Sequence, residues 1–327
     1  MSVTYPPRPR PTGARGFVAL LAACIALQCS RDPGEHASAS VASAPQRIVP
    51  ASATAVDLVA ALVAPDRVAG FPEQALEYST LHTGDPRFAR ATRFDAYLAE
   101  PVLALDPDLV VIDPWQAPET TARLREAGIR VLVVPEIHSW PQARAALEML
   151  AGELDARAAG GALLADLDSR VAALRERAAA RPKLRALCYS NYGAAGSTAG
   201  AETTLDEVMR LAGLSNRIAE LGRVGHSGID FELLLVLDPD VIVTSLPLKM
   251  EAGPAGDRGG ASAELLYNEP SLAGLRAVRE RRVVSLPAWL FATGSHEIVH
   301  AAEELSARVD ELLARLDRER ATGEAQR

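Results

Sequence analysis

The chain has 327 residues, enough for two domains that each bury a core of their own. A formal charge of −8 argues against nucleic acid or an anionic lipid surface as the main partner. Three cysteines, two of them close to the N-terminus, leave only Cys188 in the body of the chain, which excludes a disulfide framework and cysteine-rich metal sites.

At the N-terminus Arg8, Arg10 and Arg15 precede an uncharged apolar run from Phe17 to Leu27, too short to span a bilayer and suited to the core of a signal peptide. Leu21-Ala22-Ala23-Cys24 resembles a bacterial lipobox with Cys24 as the lipidated residue; Cys29 is a second candidate, and ordinary cleavage near Ala37-Ser38-Ala39 is the plainer alternative. Residues 1–29 therefore read as an export signal with a lipid-attachment site. Residues 30–46, rich in Ser, Ala, Pro and Gly, read as a flexible tether.

A first α/β lobe is expected over residues 47–153. Arg47-Ile48-Val49 starts a strand, Thr54 to Val63 has helical spacing, and Arg67 to Phe71 reads as a second strand. A polar and aromatic loop then runs to about Phe94, a length that usually accompanies function. Leu105-Asp106-Pro107-Asp108 feeds the apolar Leu109-Val110-Val111, the pattern of a buried parallel strand. Glu119 to Ala127 is a helix stopped by Gly128, and Ile129 to Val134 is another strand. Alternating strands and helices predict a parallel sheet covered on both faces.

From Trp140 to about Arg181 the composition is helical throughout, interrupted only by Gly152 and Gly160-Gly161. Residues 154–181 are expected to form one connecting helix with a stripe of Leu163, Leu164, Leu167, Val171 and Leu174. About 25 helical residues extend roughly 40 Å, enough to reach from one lobe to another.

A second lobe follows over residues 182–316. Arg185 to Ser190 reads as a strand that leads into a loop of small residues around Tyr192, and Thr204 to Leu211 as a helix. Leu237-Asp238-Pro239-Asp240 before Val241-Ile242-Val243 repeats the first-lobe pattern, and in both copies a glutamate, Glu100 or Glu232, stands seven residues before the proline. Such a repeat points to two similar lobes. Arg282 to Leu286 is the last strand, followed by Trp289-Leu290-Phe291 and a terminal helix from Ser295 to about Leu316; residues 317–327 read as a frayed polar tail.

On these landmarks, together with Asp66-Arg67-Val68-Ala69-Gly70 and Ala127-Gly128-Ile129-Arg130-Val131, the chain resembles over roughly residues 46–316 the solute-binding proteins of ABC importers for cobalamin, ferric siderophores and haem. The resemblance implies an α/β fold of two Rossmann-like lobes with parallel sheets, connected by a single long α-helix, with the ligand cleft between the lobes. It implies a monomeric, exported, periplasmic or cell-surface protein with no enzymatic activity and no resident cofactor. Such a protein captures a metal chelate, a corrinoid or ferric siderophore ahead of haem, and delivers it to an ABC permease dimer in the inner membrane. The docking glutamates of that family fall on Glu100 and Glu232, with Pro101 a departure beside the first.

Loops at the carboxyl ends of strands then supply the expected ligand contacts: Tyr78 and His82, Trp115, His138 and Trp140, Tyr189 and Tyr192, and Trp289 with Phe291, with His296 near the start of the last helix. Aromatic walls suit a large planar ligand, although a loop aromatic also serves simply to cap a core. Trp115 falls where cobalamin-binding relatives carry a tryptophan. Where haem-binding relatives often carry a tyrosine ligand, this chain has Arg93-Phe94, and Arg87, Arg90 and Arg93 are placed to meet an anionic ligand instead.

His296-Glu297-Ile298-Val299-His300 matches the H-E-x-x-H pattern and carries the alternative reading, a zinc-dependent hydrolase in which two imidazoles on one helix face hold the metal and the glutamate acts as base. Its place in the last helix leaves little following chain to supply a third ligand.

Overall fold

The computed structural model describes residues 44–192, 195–246 and 260–325. The leader, with Cys24 and Cys29, lies outside them. The first lobe runs β1 (Ile48–Pro50), α1 (Ala53–Ala60), β2 (Gly70–Pro72), α2 (Ala75–Tyr78), β3 (Thr92–Phe94), α3 (Ala99–Leu103), β4 (Leu109–Ile112), α4 (Pro118–Glu126), β5 (Arg130–Val133) and α5 (Trp140–Glu153). Strands β1, β4 and β5 pair in parallel in that order, β2 pairs in parallel with β3, and a bridge from Ile48 to Val68 brings the second pair beside β1. The order therefore reverses between β1 and β4. The stretch expected as one long loop up to Phe94 contains α2 and β3 and is closed against the sheet.

The second lobe comprises α6 (Arg157–Ala179), β6 (Leu184–Cys188), β7 (Ser190–Tyr192), β8 (Ala195–Ala199), α7 (Thr204–Leu211), β9 (Leu214–Asn216), α8 (Arg217–Glu220), β10 (His226–Ile229), α9 (Phe231–Leu237), β11 (Val241–Ser245), α10 (Gly260–Asn268), α11 (Arg276–Arg279), β12 (Val283–Leu286), α12 (Ala288–Phe291) and α13 (Ile298–Ala325), counting the connecting helix α6 with it. Its main sheet is parallel in the order β12-β11-β6-β9. A second sheet, β10-β8-β7, is antiparallel, and its β7 and β8 occupy the stretch read from sequence as a small-residue loop. Gly, Ala and Ser dominate it, so it carries no apolar alternation to reveal a strand.

The internal repeat is structural. Asp106 and Asp238 both turn the chain in the left-handed region, at φ 47° and 36°. The next acid in each copy then clamps the start of the neighbouring strand: Asp108 accepts from the backbone N–H groups of Gln46 and Arg47 at 2.6 and 3.1 Å. Asp240 accepts from that of Arg185 at 2.9 Å. The arginine side chains close the motif, Arg47 donating to the Asp106 carbonyl at 2.8 Å and Arg185 to the Asp240 carboxylate at 3.2 Å. The strand that follows is apolar and buried throughout β4, and in β11 from Val241 to Val243, ahead of the buried Thr244.

The long middle segment is two helices. Asp155, at φ 52°, breaks it between α5 and α6. Helix α6 begins by crossing α5 at Gly160, where an added Cβ would lie 2.4 Å from that of Ala151. It has 23 residues, about 35 Å, and ends in the second lobe beside Gly213, with Arg181 donating to the carbonyls of Ala212 and Ser306 at 2.9 and 2.8 Å. Helix α13 continues through the stretch expected to fray, up to Ala325. Ion pairs such as Arg315–Glu319 at 3.4 Å support that last part at helical spacing. Among the described residues no helix is long and apolar enough to cross a membrane.

Candidate functional site

A cleft of about 630 Å³ lies between the lobes, on the carboxyl side of the first sheet. It opens where the strand order reverses: Ser52 and Thr54 follow β1, and Asp113 follows β4. This switch point is where open α/β sheets leave a crevice for ligands, because the connections to either side depart in opposite directions. Ser52 is held there by its second task as the N-cap of α1, its hydroxyl accepting from the Ala55 N–H at 3.0 Å.

On the first-lobe wall, Trp115 is 63% exposed at the cleft, with Gln116 beside it donating to the Ala51 carbonyl at 3.2 Å. Tyr78 lines the same wall from the end of α2. Past β5, Glu136 and His138 face the cleft with the His138 Nε2 3.3 Å from a Glu136 oxygen. The second-lobe wall is built by Glu202, Thr203 and Thr204 ahead of α7, by Gly225 and His226 at β10, and by Thr293 and Gly294 beyond α12.

Three carboxyl groups (Asp113, Glu136 and Glu202) and no lysine or arginine occur among the described lining residues. Burial pushes the Asp113 carboxyl up to about 6, against hydrogen bonds from the Ser52 and Thr54 hydroxyls that favour its charged form. Arg87, the first of the arginines expected to meet an anion, instead pairs with Asp85 at 2.7 Å on an exposed turn. None of Arg87, Arg90 and Arg93 lines the cleft.

Of the expected contacts, Tyr78 and Trp115 are thus brought together in the cleft. Tyr189 is not: it is 1% exposed and packs in the second lobe's core, so tightly that an added Cβ on Gly196 would meet its ring at 2.6 Å. Phe291 is buried in the main core, and Trp289 packs half-buried against it, edge-on to His300 with ring centroids 5.3 Å apart. The side chains of His82 and Tyr192 lie outside those described. His138 lines the cleft as expected, whereas Trp140 is buried. Asp113, Glu136, Glu202 and His226 complete the site. The one signal for them was the abrupt change from apolar strand to polar residue, as at Ile112-Asp113.

The H-E-x-x-H segment does not assemble a zinc site. His296 is 4% exposed and its Nε2 lies 3.3 Å from one oxygen of Glu297. The other Glu297 oxygen lies 3.3 Å from Nδ1 of His300. The carboxylate that would have to activate water is engaged at both oxygens, and burial pushes the His296 imidazole below its ordinary range. Among the described residues no group of three or more His, Cys, Asp or Glu is placed to hold a metal ion. A larger hollow of about 900 Å³ between α10, β12 and α13 lies away from the switch point. Its Arg308 is tied to Glu304 at 2.8 Å and its Arg315 to the Arg281 carbonyl at 2.7 Å.

Glu100 and Glu232 both lie exposed in the first turns of α3 and α9.

The family model described as periplasmic binding protein matches residues 40–290. Among curated proteins none matches the chain in sequence. Among solved structures, the periplasmic heme-binding protein BhuT in complex with two hemes is 28% identical, at a TM-score of 0.68 over 82% of this chain and 98% of that one. The apo heme-binding protein RhuT from Roseiflexus sp. RS-1 is 23% identical, at a TM-score of 0.69 over 82% of this chain and 98% of that one. The vitamin B12 binding protein BtuF of Vibrio cholerae is 20% identical, at a TM-score of 0.64 over the same shares, 82% and 98%. Two parallel-sheet lobes, a connecting helix and a cleft at the switch point accord with that match, and the chain belongs to the periplasmic binding protein family.

Proposed function

We propose that this chain is the substrate-binding component of an ABC importer, capturing a metal chelate in the cleft and delivering it to a permease dimer in the inner membrane. The observation that carries the choice of ligand is the charge of the cleft: three carboxyl groups, an exposed tryptophan and no lysine or arginine among the described lining residues. Carboxylates accept hydrogen bonds from amide donors and disfavour a ligand of their own charge. A corrinoid, large, planar and rimmed with amides, fits that lining ahead of an anionic ferric siderophore. A haem reading is favoured by a separate observation, since the haem-binding BhuT is closer in sequence, at 28%, than the vitamin B12 binding BtuF, at 20%; haem would have to direct its propionates away from the acids.

Delivery would use Glu100 and Glu232, one per lobe, as paired contacts for basic pockets on the two permease subunits. A lipid on Cys24 or Cys29 and the tether over 30–46 would keep a monomeric body beside the membrane. Thermal-shift and absorbance titrations with cobinamide, cobalamin, haemin and ferric siderophores test the ligand, because a compound that binds only the folded state raises the unfolding midpoint. A shift with a corrinoid supports the reading, a shift with haemin alone replaces it by the haem reading, and no shift with any of the four sinks the chelate assignment.

A further inference from the structure

The hollow of about 900 Å³ between α10, β12 and α13 is walled by Arg281, Arg308, Arg315 and Arg318 against two carboxylates, Glu264 and Glu311. In a chain whose formal charge is −8, that is a local excess of positive charge. The switch-point cleft has the opposite lining, with carboxyl groups and no lysine or arginine among its described residues. Two of the four guanidinium groups are engaged by the fold. Arg308 pairs with Glu304 at 2.8 Å, and Arg315 donates to the Arg281 carbonyl at 2.7 Å and lies 3.4 Å from Glu319. Arg281 and Arg318 are exposed and form no ion pair with another described residue. A neighbouring hollow differs in this respect: its Arg276 pairs with Asp240 at 2.7 Å and its Arg279 with Glu280 at 3.0 Å.

Arg281 stands at φ 51°, in the left-handed region where glycine is the residue of least strain. Arg315 braces that turn through its bond to the Arg281 carbonyl. The Arg281 guanidinium then lies 5.1 Å from the centroid of the Tyr267 ring on α10. A strained backbone thus holds an uncommitted charge over an aromatic face in the wall of a cavity, and folding of the turn alone does not call for that side chain.

Guanidinium groups match phosphate oxygens with paired N–H···O bonds, which is why arginine is favoured where phosphate is recognised. Ten helical residues separate Arg308 from Arg318, about 15 Å along α13. One phosphate cannot meet cations so far apart, and Glu264 and Glu311 weaken the hold on a single one. Between the arginines the wall is apolar, formed by Leu246, Val283, Val284 and Leu312, and suits the carbon part of an organic phosphate. We infer that this hollow is a second binding site, separate from the chelate cleft, for an anion carrying two or more phosphate groups, with Arg281 and Arg318 as its direct contacts. A free polyphosphate and a cluster of anionic lipid headgroups present that same chemistry.

Thermal unfolding of the full chain with tripolyphosphate, and flotation with phosphatidylglycerol or phosphatidylcholine vesicles, test this in wild type and in the double variant Arg281→Gly/Arg318→Ala. Arg281→Gly removes the guanidinium while relieving the left-handed backbone, and Arg318→Ala changes one exposed helix position. The midpoint without ligand should therefore hold or rise, which shows that the variant folds. The expected result is a saturable rise of the wild-type midpoint with tripolyphosphate, and binding about tenfold weaker or more in the double variant. That response without selective flotation assigns the site to free phosphates. Flotation of wild type on phosphatidylglycerol beyond that on phosphatidylcholine, lost in the double variant and with no response to tripolyphosphate, assigns it to lipid headgroups. Three results overturn the site: no response to either probe, equal responses of wild type and double variant, or the tripolyphosphate shift reproduced by sulfate at the same ionic strength.

Discussion

Asp57 and Ser295, 238 positions apart in the chain, meet at 2.9 Å, the Ser295 hydroxyl donating to the Asp57 carboxylate. Asp57 belongs to α1 of the first lobe, and Ser295 leads into α13 of the second. Asp57 also accepts from the N–H and hydroxyl of Thr80, at 2.7 and 3.0 Å. Beside it Gly294 packs against α1 so closely that a Cβ there would lie 2.8 Å from the Thr54 hydroxyl oxygen. A second tie joins the lobes where the Trp140 N–H donates to a Glu207 oxygen at 3.1 Å. Buried polar links of this kind hold a cleft in one shape, since opening it would strand each partner without a hydrogen bond.

The Asp57 link carries a pH dependence. Burial, with Glu297 nearby, pushes its carboxyl up to about 7, more than its hydrogen bonds to Thr80 and Ser295 draw it down. Below the ordinary value of 3.8 both folded and unfolded chains hold the proton. Between there and about 7 the unfolded chain has lost it while the folded chain keeps it, so stability falls as pH rises through that window and levels above it. The loss is on the order of 4 kcal/mol at one unit per 1.36 kcal/mol. Asp57→Asn removes the titration. The stability of wild type relative to Asp57→Asn, from urea unfolding, should therefore decline between pH 4 and 7; a difference that stays flat across that range sinks the assignment.

The two Asp-Pro-Asp turns predict different responses to glycine. Asp106 adopts φ 47° and its side chain bonds to no other described residue, so Asp106→Gly relieves left-handed strain and should leave stability unchanged or raise it by up to about 1 kcal/mol. Asp238 adopts φ 36° but also accepts from the Arg276 N–H at 3.0 Å, so the same change there should bring no gain. Asp240→Ala should cost about 2–4 kcal/mol, because it strands the Arg185 N–H and two guanidinium groups together. Denaturant midpoints for the three variants check the order: Asp106→Gly highest, Asp240→Ala lowest.

These turns also mark how far the sequence could be read. An apolar run after a proline can hardly be anything but a buried strand, so β4 and β11 were legible, and so were the matching positions of Glu100 and Glu232 on the short helices before them. The β7-β8-β10 sheet was not, because Gly196, Ser197, Ser227 and Gly228 give strands no apolar face to display. Since β10 carries His226, that part of the cleft's second-lobe wall was hidden with it. Tyr189 shows the complementary error: it leaves β6 just where a cleft residue should, but its side chain turns inward onto Gly196. Which way one residue faces at the end of a strand depends on packing that periodicity does not record.

Trp115 and Tyr189 separate ligand contact from core packing. Trp115 is 63% exposed, so Trp115→Ala should leave the unfolding midpoint within about 1 °C of wild type and weaken chelate binding roughly ten- to thirtyfold, the loss of one aromatic wall. Tyr189 is 1% exposed, so Tyr189→Ala should cost about 3–5 kcal/mol of stability. Calorimetric titration beside thermal unfolding reads both quantities. If Trp115→Ala binds as wild type does, the aromatic-wall assignment fails.

Glu100 and Glu232 are placed to act after capture rather than in it. Both are exposed, and among the described residues the one ion pair of Glu100, to Arg123 at 3.7 Å, joins two exposed side chains. Such a pair contributes less than about 1 kcal/mol, so replacing the glutamate should barely disturb the fold. Charge reversal is different at a docking surface, where a like charge against each arginine pocket adds repulsion to the lost attraction. Glu100→Arg and Glu232→Arg should each lower chelate uptake into cells about tenfold or more, and together abolish it, while the purified variants bind chelate with unchanged affinity. Uptake of a radiolabelled chelate measured beside solution affinity makes the distinction. Normal uptake in the double variant would remove both residues from docking, whereas reduced affinity would place them in the cleft's own chemistry.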